Sequence, residues 1–260
     1  MKILVIIPAR LDSKRLPRKL LLSETGKPLI QHVIERCSQS VIGRTRDDLG
    51  RFNIVVMSRD PELLSIAGEC GAAVWLCIRE YLNGTSRATE LFEDCAVCLG
   101  WDVVCIVQAD YPEIHPELID QVISELERHP EWDCATAAEK LNIANADALQ
   151  SADRVKVLLT PDGMAADFTR HPLYDLRLRF KNGNYVVAGP HVGIYAYRRD
   201  ALLRYAAAGP CEREVSESLE QLRALHLGMR MGVVLTGHAP AGIDTREDYE
   251  AFVARWKAKQ

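Results

Sequence analysis

The sequence predicts an α/β fold built on a mostly parallel sheet. Three observations predict it. Short apolar runs suited to buried strands alternate with amphipathic helical stretches up to about residue 140. The most strand-like run, 103–108, ends at Asp110-Tyr111-Pro112, a turn. After residue 140 the rhythm changes to hairpin signals before helices return. Strands alternating with helices imply right-handed crossovers between parallel strands.

The elements follow in order. Residues 3–7 read as a strand, followed by a polar loop and a helix over about 28–39. A second strand covers 53–58. Asp60 can cap a helix starting at Pro61, which Gly71 closes. A short third strand covers 73–76, and a helix covers about 85–99. Strand 103–108 precedes a helix over about 116–128 and a strand over 133–138. Runs 155–159 and 165–169 flank Pro161-Asp162-Gly163, a hairpin signal. Asn182-Gly183-Asn184 marks a further turn before strand 192–197. Roughly 140–190 reads as an insertion or arm, of the kind that packs on a partner subunit. Helices over 199–208 and 215–227, a strand over 232–235 and a helix from about Thr245 complete the chain. The whole reads as one domain, 1–260, with the arm inside it.

The 260 residues carry 32 Lys plus Arg against 36 Asp plus Glu, a net charge of −4. That balance argues against a general nucleic-acid or anionic-membrane binder, but not against a local cationic site for a small anion. Hydrophobic residues at 48% are ordinary for a globular chain of this size. No apolar stretch approaches the roughly 20 residues needed to span a bilayer. Run 3–7 is too short for a secretory signal. The eight cysteines show no disulfide spacing, so a reducing cytoplasm is expected. Cys95 and Cys98 form a C-x-x-C inside a predicted helix. Without a second pair or a nearby His they read as core thiols.

Four segments can carry chemistry. Loop 8–19 holds Arg10, Lys14, Arg15, Arg18 and Lys19 against one acid, Asp12. It follows the first strand, where open α/β sheets bind ligands. Guanidinium forks pair bidentately with phosphate, so the loop is either a polyphosphate site or a solvated basic surface. Asp110, just past a buried strand, either holds Mg²⁺ over the sheet edge or tightens the turn before Pro112. Asp244 is either a second metal ligand or part of an N-cap, since Thr245 and Asp248 form a capping-box pattern. Asn83-Gly84-Thr85-Ser86-Arg87 opens a helix whose free amides either meet an anion or are simply capped. His191 precedes strand 192–197 and Tyr195 lies within it, and both read as core. Glu214, Glu217, Glu220, Gln221 and Arg223 are helix-spaced, with Glu214, Glu217 and Glu220 or Gln221 sharing a face, which reads as solvated.

In this order, the segments resemble the CMP-Kdo synthetases (3-deoxy-manno-octulosonate cytidylyltransferases). The likeness rests on Ile6-Ile7-Pro8-Ala9-Arg10, Arg15-Leu16-Pro17 with Lys19, Gly26-Lys27-Pro28, Gly84-Thr85 with Arg87, and Val107-Gln108 with Asp110 and Pro112. It continues through Val155-Lys156-Val157, Thr169-Arg170, His191 with Gly193-Ile194-Tyr195, 219–223, and Asp244-Thr245 with Glu247-Asp248. The resemblance implies a Rossmann-like nucleotidyltransferase sheet of the nucleotide-diphospho-sugar transferase type. It also implies a β-rich dimerisation arm and a homodimer. It implies transfer of CMP from CTP to an acidic acceptor, Kdo, with Mg²⁺ as cofactor and pyrophosphate released, in lipopolysaccharide biosynthesis. Arg10, Arg15 and Lys19 would hold the triphosphate, and with Asp110 form the catalytic set. Pro8, Ala9, Gly84, Thr85 and Arg87 would complete the nucleotide site. Asp110 and Asp244 would ligate the metal. Gln108, Arg170, His191, Tyr195, Glu220 and Gln221 would line the acceptor pocket.

The sequence departs from the family pattern at several points. Arg18 and Ala109 stand where the family has glycine, Leu20 where it has proline, Tyr111 where it has Glu, and Val215 where His is common. The segment before Gly84 is one residue shorter. These changes keep three other readings open: a cytidylyltransferase for another acidic acceptor (a different 2-keto sugar acid, a phosphonate or a carboxylate), a nucleotide-sugar-dependent glycosyltransferase, and an inactive nucleotide-binding relative. A single Asp110 in place of a D-x-D pair speaks against the glycosyltransferase.

Overall fold

The computed structural model describes residues 1–43, 53–94, 100–141, 149–172, 185–237 and 239–260. In chain order the first strands and helices are β1 (Ile3–Pro8), α1 (Leu29–Gln39), β2 (Ile54–Ser58), α2 (Pro61–Glu69), β3 (Ala73–Leu76), α3 (Gly84–Asp94), β4 (Val103–Val107) and α4 (Pro116–Arg128). They are followed by β5 (Cys134–Glu139), β6 (Lys156–Leu159), β7 (Ala165–Thr169), β8 (Val186–Ala188) and β9 (His191–Arg198). The chain then continues through α5 (Arg199–Ala208), α6 (Glu212–Glu217), α7 (Gln221–His226), β10 (Met231–Thr236) and α8 (Arg246–Ala258). It divides into two compact units: Met1–Asp120 with Pro240–Gln260, and Gln121–Ala239.

The first unit carries parallel strands in the order β4-β1-β2-β3. All five residues of β4 are buried, as are Leu4–Pro8 of β1. Continuous Val/Ile runs suit strands covered on both faces. Ile6 lies level with Val55 and with Ile106, so the segments after Pro8, Ser58 and Val107 leave from the same sheet edge. That edge is where the first unit assembles its polar groups.

Pro61 opens α2 at the first helical turn, as expected, but Asp60 does not cap it with its side chain. The Asp60 carboxylate instead accepts the Leu11 N–H at 3.0 Å. The loop amide would otherwise go unpaired, and a carboxylate is a strong acceptor for it.

In the second unit β5 pairs with β10 in parallel and with β9 antiparallel. A separate antiparallel sheet, ordered β7-β6-β8, falls within the 140–190 segment read as an arm. The predicted hairpin is present: Gly163, at φ +82°, donates its N–H to Thr160 O at 3.0 Å. The 182–184 turn lies outside the described residues, as do Cys95 and Cys98. The main strands are parallel with β9 as the exception, in line with the α/β reading.

One predicted helix is wrong in kind. Residues 215–227 do not form a continuous helix. Ser218 takes a left-handed conformation at φ 53° and separates α6 from α7. The expected solvated face therefore does not exist. Glu214, Gln221 and Arg223 are all buried, because the break turns the two short helices toward each other.

Candidate active site

In the first unit, the sheet edge holds a compact charge cluster. A single 3-10 turn over Lys19–Leu21 follows the basic loop and buries Lys19 to 8% exposure. The Lys19 ammonium donates to Asp110 Oδ2 at 2.9 Å, Asp244 Oδ1 at 3.0 Å and the Ile243 carbonyl at 2.6 Å. Burial pulls the Lys19 pKa down, but the facing Asp110 and Asp244 outweigh it and hold it above the ordinary lysine value. Arg15 Nη2 reaches the other oxygen of Asp244 at 2.6 Å.

Two local devices bring the carboxylates together. Ile243 N–H donates to the Asp110 carbonyl at 2.9 Å, which ties the C-terminal segment to the end of β4. Thr245 caps α8 and forms a full capping box with Asp248. The cap is thus Thr245, and the Asp244 carboxylate stays available to Lys19 and Arg15. Tyr111 packs its ring against Gly242 on the same segment.

The basic loop is held from below. Ala9 N–H donates to Met57 O at 2.8 Å, and buried Arg87 donates to the Ala9 carbonyl at 2.7 Å. Burial lowers the Arg87 pKa from the ordinary arginine value. Arg10 itself is exposed. A cavity of about 410 Å³ is lined by Arg10, Asp12, Arg59, Asp60, Glu80, Tyr81 and Arg87. Gly84 begins α3, where Asn83 Oδ1 accepts the Ser86 N–H at 2.8 Å. A Cβ at Gly84 would fall 2.6 Å from Gln108 Nε2, so the Gln108 amide lies directly on this backbone. Thr85 beside it is fully buried.

The second unit gathers the other predicted residues. Thr136 donates its hydroxyl to Ile194 O at 2.7 Å and lies 2.8 Å from His191 Nε2. A hydroxyl has one hydrogen, so His191 Nε2–H is the donor to Thr136 and Nδ1 is the acceptor nitrogen. Burial lowers the His191 pKa to about 3, which keeps the ring neutral. Tyr195 donates its hydroxyl to Gln221 Oε1 at 3.2 Å. The Gln221 Nε2 is buried without a hydrogen-bond partner among the described residues. Arg170 donates to the Glu217 and Asp153 carbonyls at 3.3 and 3.2 Å. The carbonyl of Glu220 accepts the Tyr205 hydroxyl at 3.2 Å.

The cytidylyltransferase family model matches residues 4–231. The 3-deoxy-manno-octulosonate cytidylyltransferase of Rhodopirellula baltica is 37% identical over 265 residues, covering 98% of each chain. That of Actinobacillus pleuropneumoniae serotype 7 is 38% identical over 256 residues, covering 96% of this chain and 97% of its own. The chain belongs to the 3-deoxy-manno-octulosonate cytidylyltransferase family. It is therefore a nucleotidyltransferase. The solved structure of CMP:2-keto-3-deoxy-manno-octonic acid synthetase complexed with CTP matches over 100% of both chains, with a TM-score of 0.84 and 29% identity. A glucose-1-phosphate thymidylyltransferase structure from Bacillus anthracis, 16% identical with a TM-score of 0.65, shares the fold.

Within this family member, the first unit collects the loop residues Pro8, Ala9, Arg10, Arg15 and Lys19 with Gly84, Thr85, Arg87, Gln108, Asp110 and Asp244. The second collects Arg170, His191, Tyr195, Glu220 and Gln221. Sequence reading missed Thr136, which sets the His191 tautomer, and Asp60, which anchors the loop at Leu11. It also missed the Glu214–Arg223 pair, with side chains 1% and 4% exposed. A Thr inside an apolar strand and an ion pair written across a helix break carry no pattern that periodicity could detect.

Proposed function

We propose that this protein transfers CMP from CTP to the sugar acid Kdo with Mg²⁺, releasing pyrophosphate. The observation that carries the reading is the meeting of Asp110 and Asp244 on one cation position, beside the guanidinium of Arg15. Among the described residues, the ligand atoms there are carboxylate and carbonyl oxygens. This suits Mg²⁺, which takes one or two carboxylates and completes its shell with water and phosphate. Asp110 and Asp244 would hold the ion. When bound, it supplies positive charge against the triphosphate and favours the ionised form of the acceptor hydroxyl.

The chain's own residues do the positioning. Arg10 and Arg15 pair with triphosphate oxygens, and Lys19 adds a buried charge. Two anionic reactants repel, and these cations offset that repulsion. The Gln221 Nε2–H and the guanidinium of Arg170 are donors for an acidic acceptor. The acceptor oxygen attacks the α-phosphorus in line. The α–β bridging bond breaks, pyrophosphate leaves, and the hydroxyl proton passes to solvent. A cytoplasmic homodimer is part of the same reading, supported by family likeness and by six free thiols at the described cysteines.

Pyrophosphate release, measured with each nucleoside triphosphate crossed against sugar acids and phosphonates, tests the proposal. CTP with Kdo and Mg²⁺ should give the highest turnover. A higher rate with a different sugar acid or a phosphonate would replace Kdo as acceptor. Release of free nucleotide and a glycoside would overturn the reaction class.

A further inference from the structure

We infer that Lys19 makes the metal site selective for a nucleotide-bound ion over a free one. This rests on the metal assignment proposed above. The Lys19 ammonium has three N–H donors and meets three acceptors, the two aspartates and the Ile243 carbonyl, all within 3.0 Å. It lies where both carboxylates converge, which is the position a divalent ion between them would take. Mg²⁺ binds oxygen at about 2.1 Å, so ion and ammonium cannot share that space.

A free ion would have to expel a charge that is 8% exposed and leave it only the Ile243 carbonyl. It would also compete with Arg15 for Asp244. A triphosphate changes this balance. Its oxygens give Lys19 and Arg15 new anionic partners, and both carboxylates are then released toward the ion. Nucleotide and metal therefore bind with positive coupling, and the coupling is reciprocal. Lys19 serves as a placeholder that keeps the two carboxylates converged until metal and nucleotide arrive together.

Mn²⁺ binding followed by electron paramagnetic resonance tests this without any turnover. Wild-type protein alone should bind Mn²⁺ weakly, and CTP should tighten binding. Lys19→Met and Lys19→Gln, checked for fold by circular dichroism, should bind Mn²⁺ alone about tenfold tighter or more, because the competing cation is gone. Lys19→Arg keeps a cation in place and should stay near wild type. Adding Asp110→Asn to Lys19→Met should erase the gain. The inference is overturned if neither neutral variant gains affinity, or if the gain survives Asp110→Asn. The metal assignment itself is judged separately on the CTP complex. If CTP-dependent Mn²⁺ binding persists in both Asp110→Asn and Asp244→Asn, that reading fails whatever Lys19 does.

Discussion

Replacing Arg223 by Met tests whether the residues proposed to bind the acceptor in the second unit depend on a buried ion pair. Arg223 donates from Nε to Glu214 Oε2 at 2.7 Å and from Nη2 to Oε1 at 2.6 Å. The guanidinium also lies over the Tyr205 ring at 4.2 Å from its centroid. Met fills much of the volume but leaves the Glu214 charge buried. Other contacts to the carboxylate include the Cys211 N–H at 3.3 Å. Breaking such a pair costs ~3–5 kcal/mol, mostly from the stranded charge. Urea unfolding followed by circular dichroism should show that loss, with a fall in Tm on the order of 10 °C. The double variant Glu214→Leu/Arg223→Met removes both charges and should recover most of the stability. The pair also clamps α6 to α7, which carries Gln221, so the acceptor KM should rise while the CTP KM holds. A loss below about 1 kcal/mol, the range of an exposed pair, would refute the argument.

Asp110→Asn and Asp244→Asn should each abolish pyrophosphate release while the protein stays folded; full turnover in both would sink the metal assignment. Gly84→Ala should cost less than about 1 kcal/mol, because the flexible end of Gln108 can yield, yet lower kcat/KM roughly tenfold by displacing that amide. Arg18 sits at φ 56°, so Arg18→Gly should be more stable than Arg18→Ala by about 1 kcal/mol, reversing the usual order; chemical denaturation of the two checks it. His191, held near a pKa of about 3, stays neutral when folded but protonates near 6.5 when unfolded. Its share of stability is complete above pH 6.5 and falls by about 1.4 kcal/mol per pH unit down to that folded value. Stability–pH curves of wild type and His191→Gln should differ by that slope.

Much of the framework was legible because it is local. Strand β3 and helix α4 have the bounds the apolar pattern predicts, and α8 begins where Thr245 and Asp248 spell a capping box. What escaped depends on contacts between distant residues. Asp60 has the right residue type and position for a cap, but a loop amide 49 positions away takes its carboxylate. Glu214, Gln221 and Arg223 look like one wet helix face only if the helix is continuous, and one left-handed serine decides otherwise. In the sequence Asp110 fits a turn as well as a metal site, and Asp244 fits a helix cap first. The fold joins them through a shared partner, Lys19, and no spacing rule links positions so far apart.

The bond from Ile243 N–H to the Asp110 carbonyl also sets a schedule for synthesis. The first unit is discontinuous in the chain: its strands are all made by β4, but Asp244 arrives with residues 240–260. On the ribosome, the whole second unit is made before that segment emerges, and domains generally fold as the chain appears. Until then Lys19 and Arg15 lack Asp244. The charge cluster around Lys19 is thus finished last, by the segment that leads into the final helix, so a nascent chain can begin folding well before it can close it.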